Sequence, residues 1–158
     1  MLTAPDHIRN LLGHYCELID AGDFDGVGAL FADGGMAAGD GPAFAAGTHA
    51  VADFYRRSTQ LHDGSPRTKH LVIDSVFEEQ GADGRVVVRS SYVVLQAVDG
   101  FALQPIITGR YRDAFCTDVD GRWHFAERRF FVDLLGDLSH HLADPSIAGS
   151  PDAHGGLR

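Results

Sequence analysis

Three Asp-Gly pairs divide the second half of this 158-residue chain into four long segments that are rich in apolar and β-branched residues. An Asp-Gly pair between two such segments is typical of a tight hairpin, because the glycine adopts the left-handed backbone conformation that the turn requires. The sequence therefore predicts an antiparallel meander of four strands, over residues 68–79, 85–98, 101–115 and 122–135. The pairs that separate the strands are Asp83-Gly84, Asp99-Gly100 and Asp120-Gly121.

The first half of the chain has helical periodicity. Residues 5–20 carry apolar side chains three and four positions apart, with Pro5 at the start and Gly22 after the end, which favours a helix with a defined beginning and stop. Shorter helices are predicted over 23–31 and over 48–61, and the glycine-rich stretch between them predicts a short strand or an irregular loop. Helices followed by a meander indicate an α+β fold, a cone-shaped roll in which three helices pack on a curved, mainly antiparallel sheet.

Length and charge limit the organisation and the partners of the chain. The pattern predicts one domain over residues 1–144 and a flexible tail over 145–158, which is rich in Gly, Pro and Ser. A net charge of −9 with scattered basic residues argues against nucleic acid and gives no reason to expect an anionic membrane as a partner. No basic segment precedes an apolar one at the N-terminus, and no run approaches about 20 apolar residues, so we expect a cytoplasmic protein.

The strands predicted in the second half are dense in apolar residues on both faces. The helices can cover only one face of the sheet, so the other face needs a partner. We therefore expect a homodimer across the sheet, with a trimer as the alternative.

Two titratable residues lie where predicted elements end or begin. Asp20 continues the inward row of Ile8, Leu12 and Cys16 in the last turn of the first helix, where the helix dipole disfavours a carboxylate. His70 opens the first long strand. A carboxylate held against an imidazole fixes its tautomer and makes it a general base near neutral pH. Each residue taken alone has another interpretation. Asp20 could be a solvent-facing residue at a helix end, and His70 could be a hydrogen-bonded residue of the core.

Two further side chains are candidates for the same site. Tyr15 lies about 140° around the helix from Asp20, so both reach one pocket only if it lies over the helix end. Tyr15 is either core packing or a donor to a substrate oxygen. Arg128 is either the ion-pair partner of a neighbouring acid or an anchor for a substrate oxygen. Whether Arg128 or Arg129 points inward stays open, because one bulge reverses the alternation of a strand.

We expect neither a cofactor nor a metal. The adjacent residues His140 and His141 do not share a face, and no Cys or carboxylate lies at ligand spacing from them. The glycines lack the strand and helix context of a phosphate-binding loop. Cys16 and Cys116 do not make a disulfide framework and are expected to be small, buried apolar residues.

The stretch that runs from Tyr15-Cys-Glu-Leu-Ile-Asp20 through Asp23-Phe24 to Asp33-Gly34 resembles the opening of SnoaL-like proteins of the nuclear transport factor 2-like superfamily. Segments 68–71, 109–113 and 120–128 are similar as well, so the resemblance covers roughly residues 5–142. Members of the superfamily fold as an α+β cone with a deep apolar pocket. In the branch that contains scytalone dehydratase, bile acid dehydratase and a dehydrochlorinase, an Asp at the end of the first helix pairs with a His at the start of a strand.

The resemblance implies roles for four residues. Asp20 and His70 match the Asp-His pair, Tyr15 matches a tyrosine of the bile acid dehydratase pattern, and Arg128 or its neighbour resembles an arginine of the last strand. It implies a cofactor-independent, dehydratase-like lyase that acts on a small, largely apolar, cyclic or polycyclic substrate. The alternatives are a non-catalytic ligand-binding or oligomerisation module, and a polyketide cyclase or isomerase. A second histidine and a further pocket tyrosine of scytalone dehydratase have no counterpart that the sequence identifies.

Overall fold

The computed structural model describes residues 1–144, and the tail predicted over 145–158 lies outside them. The helices are α1 (Ala4–Ala21), α2 (Phe24–Ala29) and α3 (Gly47–Ser58). The strands are β1 (Gly35–Ala38), β2 (Ala43–Ala46), β3 (Thr68–Phe77), β4 (Val86–Val98), β5 (Phe101–Thr117) and β6 (Trp123–Leu135). No helix in this part of the chain is both long enough and apolar enough to cross a membrane.

The first helix forms and ends where the sequence predicts. Pro5 lies in its first turn, and the Asp6 carboxylate accepts a hydrogen bond of 2.8 Å from the backbone N–H of Thr3, which satisfies a donor at the helix N-terminus. At the other end Gly22 is left-handed, with φ of 76°, and its N–H bonds to the carbonyl of Ile19. One stripe of the helix is buried against the sheet, so its end has a fixed position relative to β3. The residues of that stripe are Ile8, Leu12, Tyr15 and Ile19.

The strands form one mixed sheet of six in the order β2-β1-β6-β5-β4-β3. The four-strand meander is confirmed, and the glycines of its three hairpins, Gly84, Gly100 and Gly121, all have φ of 78° to 79°. One expectation was wrong: the glycine-rich stretch forms two short strands, not a single one or a loop. They are joined through Gly39, whose φ of 52° allows the turn, and β1 pairs parallel with β6.

The helices cover one face of the sheet and leave the other open along β3. The alternation of β3 turns His70 and Val72 toward α1, while Leu71 and Ile73 point away and remain exposed. Ile73 keeps 45% of its surface accessible. In the single chain the outer side of β3 is therefore uncovered, because no element of residues 1–144 packs over it.

The segment after β6 packs beside the end of α3 and β4. The predicted helical turn over 138–142 is a single hydrogen-bonded turn, with the N–H groups of His141 and Leu142 both bonding to the carbonyl of Leu138. Gln60 donates from its side chain to the carbonyls of Ser139 and Leu142. The side chain of the fully buried Gln96 donates to the carbonyl of His140 at 2.9 Å. These bonds hold the segment against the end of α3 and against β4.

We predict that Gly109→Ala destabilises the fold by about 1–3 kcal/mol, the usual cost of overpacking. A Cβ at Gly109 would lie 2.0 Å from the carbonyl oxygen of Phe131 and 2.7 Å from the Tyr92 hydroxyl. The control is Gly13→Ala, at an exposed position of α1 where a Cβ meets nothing within 4 Å; it should stabilise by about 0.5–1 kcal/mol. Urea unfolding measures both, and equal effects would contradict the close strand approach at Gly109.

Candidate active site

The end of α1 meets the start of β3 through the Asp20 carboxylate. The His70 Nδ1 lies 2.6 Å from Asp20 Oδ1, and the His70 backbone N–H donates to both carboxylate oxygens at 3.2 and 3.0 Å. The Thr68 hydroxyl donates to Oδ1 at 2.9 Å. The structure therefore brings together the two residues that the sequence singled out, and it supplies a third donor, Thr68, that the sequence did not suggest.

The surroundings of this pair favour an ionised Asp20. Burial alone raises the pKa of its carboxyl, but the hydrogen bonds and charge of His70, together with the Thr68 hydroxyl, outweigh that effect and hold the pKa below its ordinary value. The two side chains keep only 11% and 8% of their surfaces accessible. Within residues 1–144 no group bonds to His70 Nε2, so this nitrogen is free to exchange a proton with a ligand.

Tyr15 lies beside the pair but bonds elsewhere. Its ring stands edge-on to the His70 ring, with 6.3 Å between centroids, while its hydroxyl lies 2.7 Å from the hydroxyl of Tyr55. Only 3% of Tyr15 is accessible. Tyr15 is thus both a core residue and a neighbour of His70, and its polar end faces a second tyrosine.

Arg128 is the arginine that points inward, which resolves the alternative between it and Arg129. It has no accessible surface, and its Nε and Nη2 donate to the two oxygens of Asp113, also fully buried, at 2.8 and 2.7 Å. Its third nitrogen, Nη1, is buried without a hydrogen-bond partner in residues 1–144. Arg129 instead bonds to Glu127 and to the carbonyl oxygens of Gly39 and Gly41.

The guanidinium of Arg128 borders a chamber of about 110 Å³ inside the fold, which we call the inner chamber. The Arg128 carbon atom Cζ lies 4.1 Å from the Tyr15 ring centroid and 3.8 Å from that of Tyr111. The walls combine aromatic rings, one methionine and one cation. They consist of Tyr15, Met36, Phe54, Tyr55, Tyr92, Tyr111, Arg128 and Phe130.

Two polar residues of this region escaped the sequence analysis: Tyr55 of the chamber wall and Asp113, the ion-pair partner of Arg128. Tyr55 lies four residues after Val51 in the apolar row of α3, and that position alone indicates only core packing. Asp113 lies directly opposite Arg128 in the β5–β6 register, which follows from the third hairpin only when the bulge between Ala114 and Phe115 is known. Cross-strand pairing with Arg128 would have pointed to Asp113, but the sequence does not reveal the register that defines this pairing.

A second depression lies on the other side of His70. It is an open groove of about 570 Å³ between α1 and β3, and its walls include Arg9, Leu12, Cys16, His70 and Asp74. The groove is large enough for the body of a small organic molecule. His70 therefore borders this groove and lies one tyrosine ring away from the inner chamber.

His141 is a histidine that the sequence weighed only as a metal ligand. The residues that the structure describes contain no cluster of three metal-binding side chains. Burial of the ring lowers the pKa of His141 to about 4, and the nearby charge of His70 contributes in the same direction. Its Nδ1 is buried without a partner in residues 1–144. The imidazole of His141 is thus neutral in the folded protein at neutral pH.

The profile of the SnoaL-like domain family matches residues 1–129. The chain belongs to the SnoaL-like domain family. Comparison with curated proteins finds no match. Among solved structures, this SnoaL-like chain is similar to a protein of unknown function from Mycobacterium tuberculosis, at 26% identity and a TM-score of 0.65, over 93% of this chain and 80% of that one.

Two structures from Novosphingobium aromaticivorans share the fold of this SnoaL-like chain. One is a nuclear transport factor 2-like protein with a cystatin-like fold, 23% identical over 91% of this chain and 84% of that one, with a TM-score of 0.63. The other is a proposed scytalone dehydratase, 19% identical over 83% and 85%, with the same TM-score. The predicted superfamily is thereby confirmed, as is an α+β fold with helices on a mixed sheet.

We predict that the protein loses stability as the pH falls from 6.5 toward 4, because of His141. Its folded pKa lies below the ordinary 6.5, so the unfolded chain binds the proton first and acid favours unfolding. A shift of this size corresponds to about 3 kcal/mol. His141→Gln should flatten this part of the curve in urea unfolding at several pH values, while the exposed His49→Gln should not. Parallel curves for His141→Gln and wild type would contradict a buried neutral imidazole.

Proposed function

We propose that this SnoaL-like protein is a cofactor-independent, dehydratase-like lyase that acts on a small, largely apolar, cyclic substrate. The observation that carries the proposal is the hydrogen bond between Asp20 and His70 Nδ1, with Nε2 left free at the boundary of a groove. A neutral imidazole oriented by a carboxylate is a competent general base near neutral pH. The similarity to a proposed scytalone dehydratase supports the same class of reaction.

In the proposed reaction His70 Nε2 removes a proton from a carbon next to a carbonyl group. Electrons of the broken C–H bond form a carbon–carbon double bond, and the C–O bond to a β-hydroxyl group breaks. The imidazolium returns its proton to the leaving hydroxide, so water departs and His70 is neutral again. Asp20 balances the positive charge on the ring between these steps. Tyr15 and Arg128 stabilise negative charge that develops on the carbonyl oxygen.

A second candidate is a non-catalytic ligand-binding or assembly module. The observation that favours it is the volume of the inner chamber, since about 110 Å³ does not enclose a polycyclic molecule. The substrate that we propose is therefore a small molecule, or one of which only a single edge enters the fold. An isomerase or a polyketide cyclase would use the same base, but its substrate would lose no hydroxide.

We predict that His70→Gln lowers kcat for dehydration of β-hydroxy cyclic ketones by about 10²–10⁴-fold, because it removes the general base. Asp20→Asn should also lower kcat, since an amide cannot balance the imidazolium. The appearance of the conjugated enone in the ultraviolet measures turnover. The control is His14→Gln, an exposed histidine of α1, which should behave as wild type. Equal turnover by wild type and His70→Gln would exclude His70 as the base. If wild type turned over none of the β-hydroxy cyclic ketones, the result would favour the non-catalytic ligand-binding or assembly module.

We further propose that the chain is a homodimer through the outer face of the sheet, with a trimer as the alternative outcome. Exposed apolar side chains on the outer side of β3, Leu71, Ile73 and Val76, support this proposal. Large apolar side chains grouped on one exposed face of a strand are more often part of an interface than free surface.

We predict that Ile73→Glu converts the assembly to monomers, because it places a charge within the proposed contact. Light scattering after gel filtration measures the mass. Val119→Glu, at a fully exposed apolar residue of the β5–β6 hairpin, is the matched control and should leave the mass unchanged. A wild-type monomer, or an Ile73→Glu protein with the wild-type mass, would contradict this interface.

A further inference from the structure

We propose that the outer face of the sheet binds a second copy of this chain in an isologous dimer, in which Arg112 of each subunit pairs with Asp74 of the partner subunit. This pairing deepens the homodimer proposed above and rests on it. It supplies the polar contact that fixes how the two sheets are oriented, and it selects a dimer over a trimer.

Three arginines stand side by side across the outer face, on adjacent strands. In the strand register Arg89 of β4 lies opposite Arg112 of β5, and Arg112 lies opposite Arg129 of β6. Like charges directly opposite each other on neighbouring strands are destabilising. Each arginine of such a row is therefore expected to have a carboxylate that offsets the repulsion.

Two arginines of the row have a carboxylate partner, and the middle one has none. Arg89 Nε donates to Glu78 at 3.1 Å, and Arg129 Nε donates to Glu127 at 3.2 Å. The side chain of Arg112 is exposed and forms no hydrogen bond or ion pair with any group of residues 1–144. The central cation of the row thus lacks the anion that both of its neighbours have.

An acid without a partner borders the same part of the surface. Asp74 and Arg112 both line a depression of about 280 Å³ in the outer face, which we call the outer depression. Asp74 is exposed, and its side chain has no bonding partner in the part of the chain that the structure describes. It lies in the bulge of β3 with φ of 55°, which is uncommon for a residue other than glycine. A bulge re-aims the side chain that it carries.

The two unpaired charges do not meet within one chain. β4 lies between the strands that carry them, and two strand spacings amount to about 10 Å. Their partners therefore come from outside the chain. A free phosphate or carboxylate on Arg112 would also meet the negative charge of Asp74, and a cation on Asp74 would meet the arginine row. The outer depression is unfavourable for a small ion of either sign.

A surface with one unpaired cation and one unpaired anion is complementary to itself. In an isologous contact residue i of one subunit meets residue j of the other, and j meets i. A two-fold axis that passes between Asp74 and Arg112 therefore forms the same ion pair twice. A cyclic trimer has heterologous contacts, which do not form the pair reciprocally, so the reciprocal arrangement is specific to a dimer.

Apolar side chains beside the outer depression supply the remainder of the contact. Val76 borders the depression and keeps 48% of its surface accessible, and Leu71 and Ile73 continue the exposed apolar strip along β3. Burial of this strip against a second copy removes water from the neighbourhood of the two ion pairs. The lower dielectric constant then strengthens the attraction in each pair.

The test reverses each charge and measures the dissociation constant of the dimer by sedimentation equilibrium. Asp74→Arg places two cations against each other, and Arg112→Asp places two anions against each other. Each variant alone should weaken the dimer at least about 10-fold, because close charge pairs at an interface couple strongly. An equimolar mixture of the two variants should dimerise again, since each introduced charge then faces its opposite on the other chain. The control is Arg57→Asp, an exposed arginine of α3, which should leave the dissociation constant unchanged.

Both charge variants are compatible with the fold of the single chain. Arg112→Asp removes a like charge from the arginine row, and Arg67 shows that an arginine adopts φ of 55° elsewhere in this chain. Circular dichroism checks that each variant is folded. Where Asp74→Arg does not fold, Asp74→Asn and Arg112→Asp decide, and both should weaken the dimer.

Four results would overturn the ion pair. They are a folded charge variant that dimerises as wild type does, a mixture that stays monomeric, a wild-type trimer and a wild-type monomer. If Ile73→Glu gives monomers while the charge variants remain dimers, the outer face stands as the interface and this pair is excluded. A wild-type monomer excludes the interface as well. None of these measurements depends on lyase activity, so a failed turnover assay leaves them unaffected.

Discussion

The contact between the Asp20 carboxylate and the start of β3 is the constraint on which the rest of the site depends. A carboxylate in the last turn of a helix opposes the helix dipole, and in this protein the donors of β3 offset that cost. Because two of those donors belong to His70, from its backbone and from its ring, the same contact fixes both the strand and the imidazole. The position of Nε2 then follows from the packing of α1 on the sheet and needs no flexible loop.

The interior behind Tyr15 is organised by a second interaction, the buried pair of Arg128 and Asp113. The pair joins β5 to β6 at the place where aromatic rings from α1 and β5 cover the guanidinium. Arg128 can be fully buried because its charge is matched and its faces lie against aromatic rings. The two apolar clusters of the core meet around this polar centre, the larger under the helices and the smaller under the segment after β6. The inner chamber exists because the pair and the tyrosines do not fill this space.

Local patterns in the sequence were sufficient for the elements whose signals are local. The Asp-Gly turns set the meander, Gly22 ended the first helix, and the row through Ile8 and Leu12 placed Asp20 on the inward face. The pairing of β1 with β6 joins segments about ninety residues apart, and no local signal specifies a partner at that separation.

The candidate site divides in the same way. Asp20 and His70 came from helix and strand periodicity, whereas Tyr55, Thr68 and Asp113 become recognisable only when their neighbours are known. Arg128 shows the reason most clearly. The bulge between Ala114 and Phe115 shifts the β5–β6 register by one residue, and a shift of one residue exchanges the two faces of a strand. Periodicity within one strand therefore could not separate Arg128 from Arg129.

The composition of the interior bears on whether these buried polar groups serve folding stability alone. A dimerisation domain gains nothing from an unpaired guanidinium nitrogen in its core, and apolar residues of similar volume are often as stabilising as a buried ion pair, or more so. The Asp20–His70 contact, the Arg128–Asp113 pair and the tyrosine hydroxyls all lie on one side of the sheet, within contact of one another through Tyr15. A set of groups that is costly to bury and still has free donors is better explained by a ligand that completes it. Folding stability alone would have selected a simpler core.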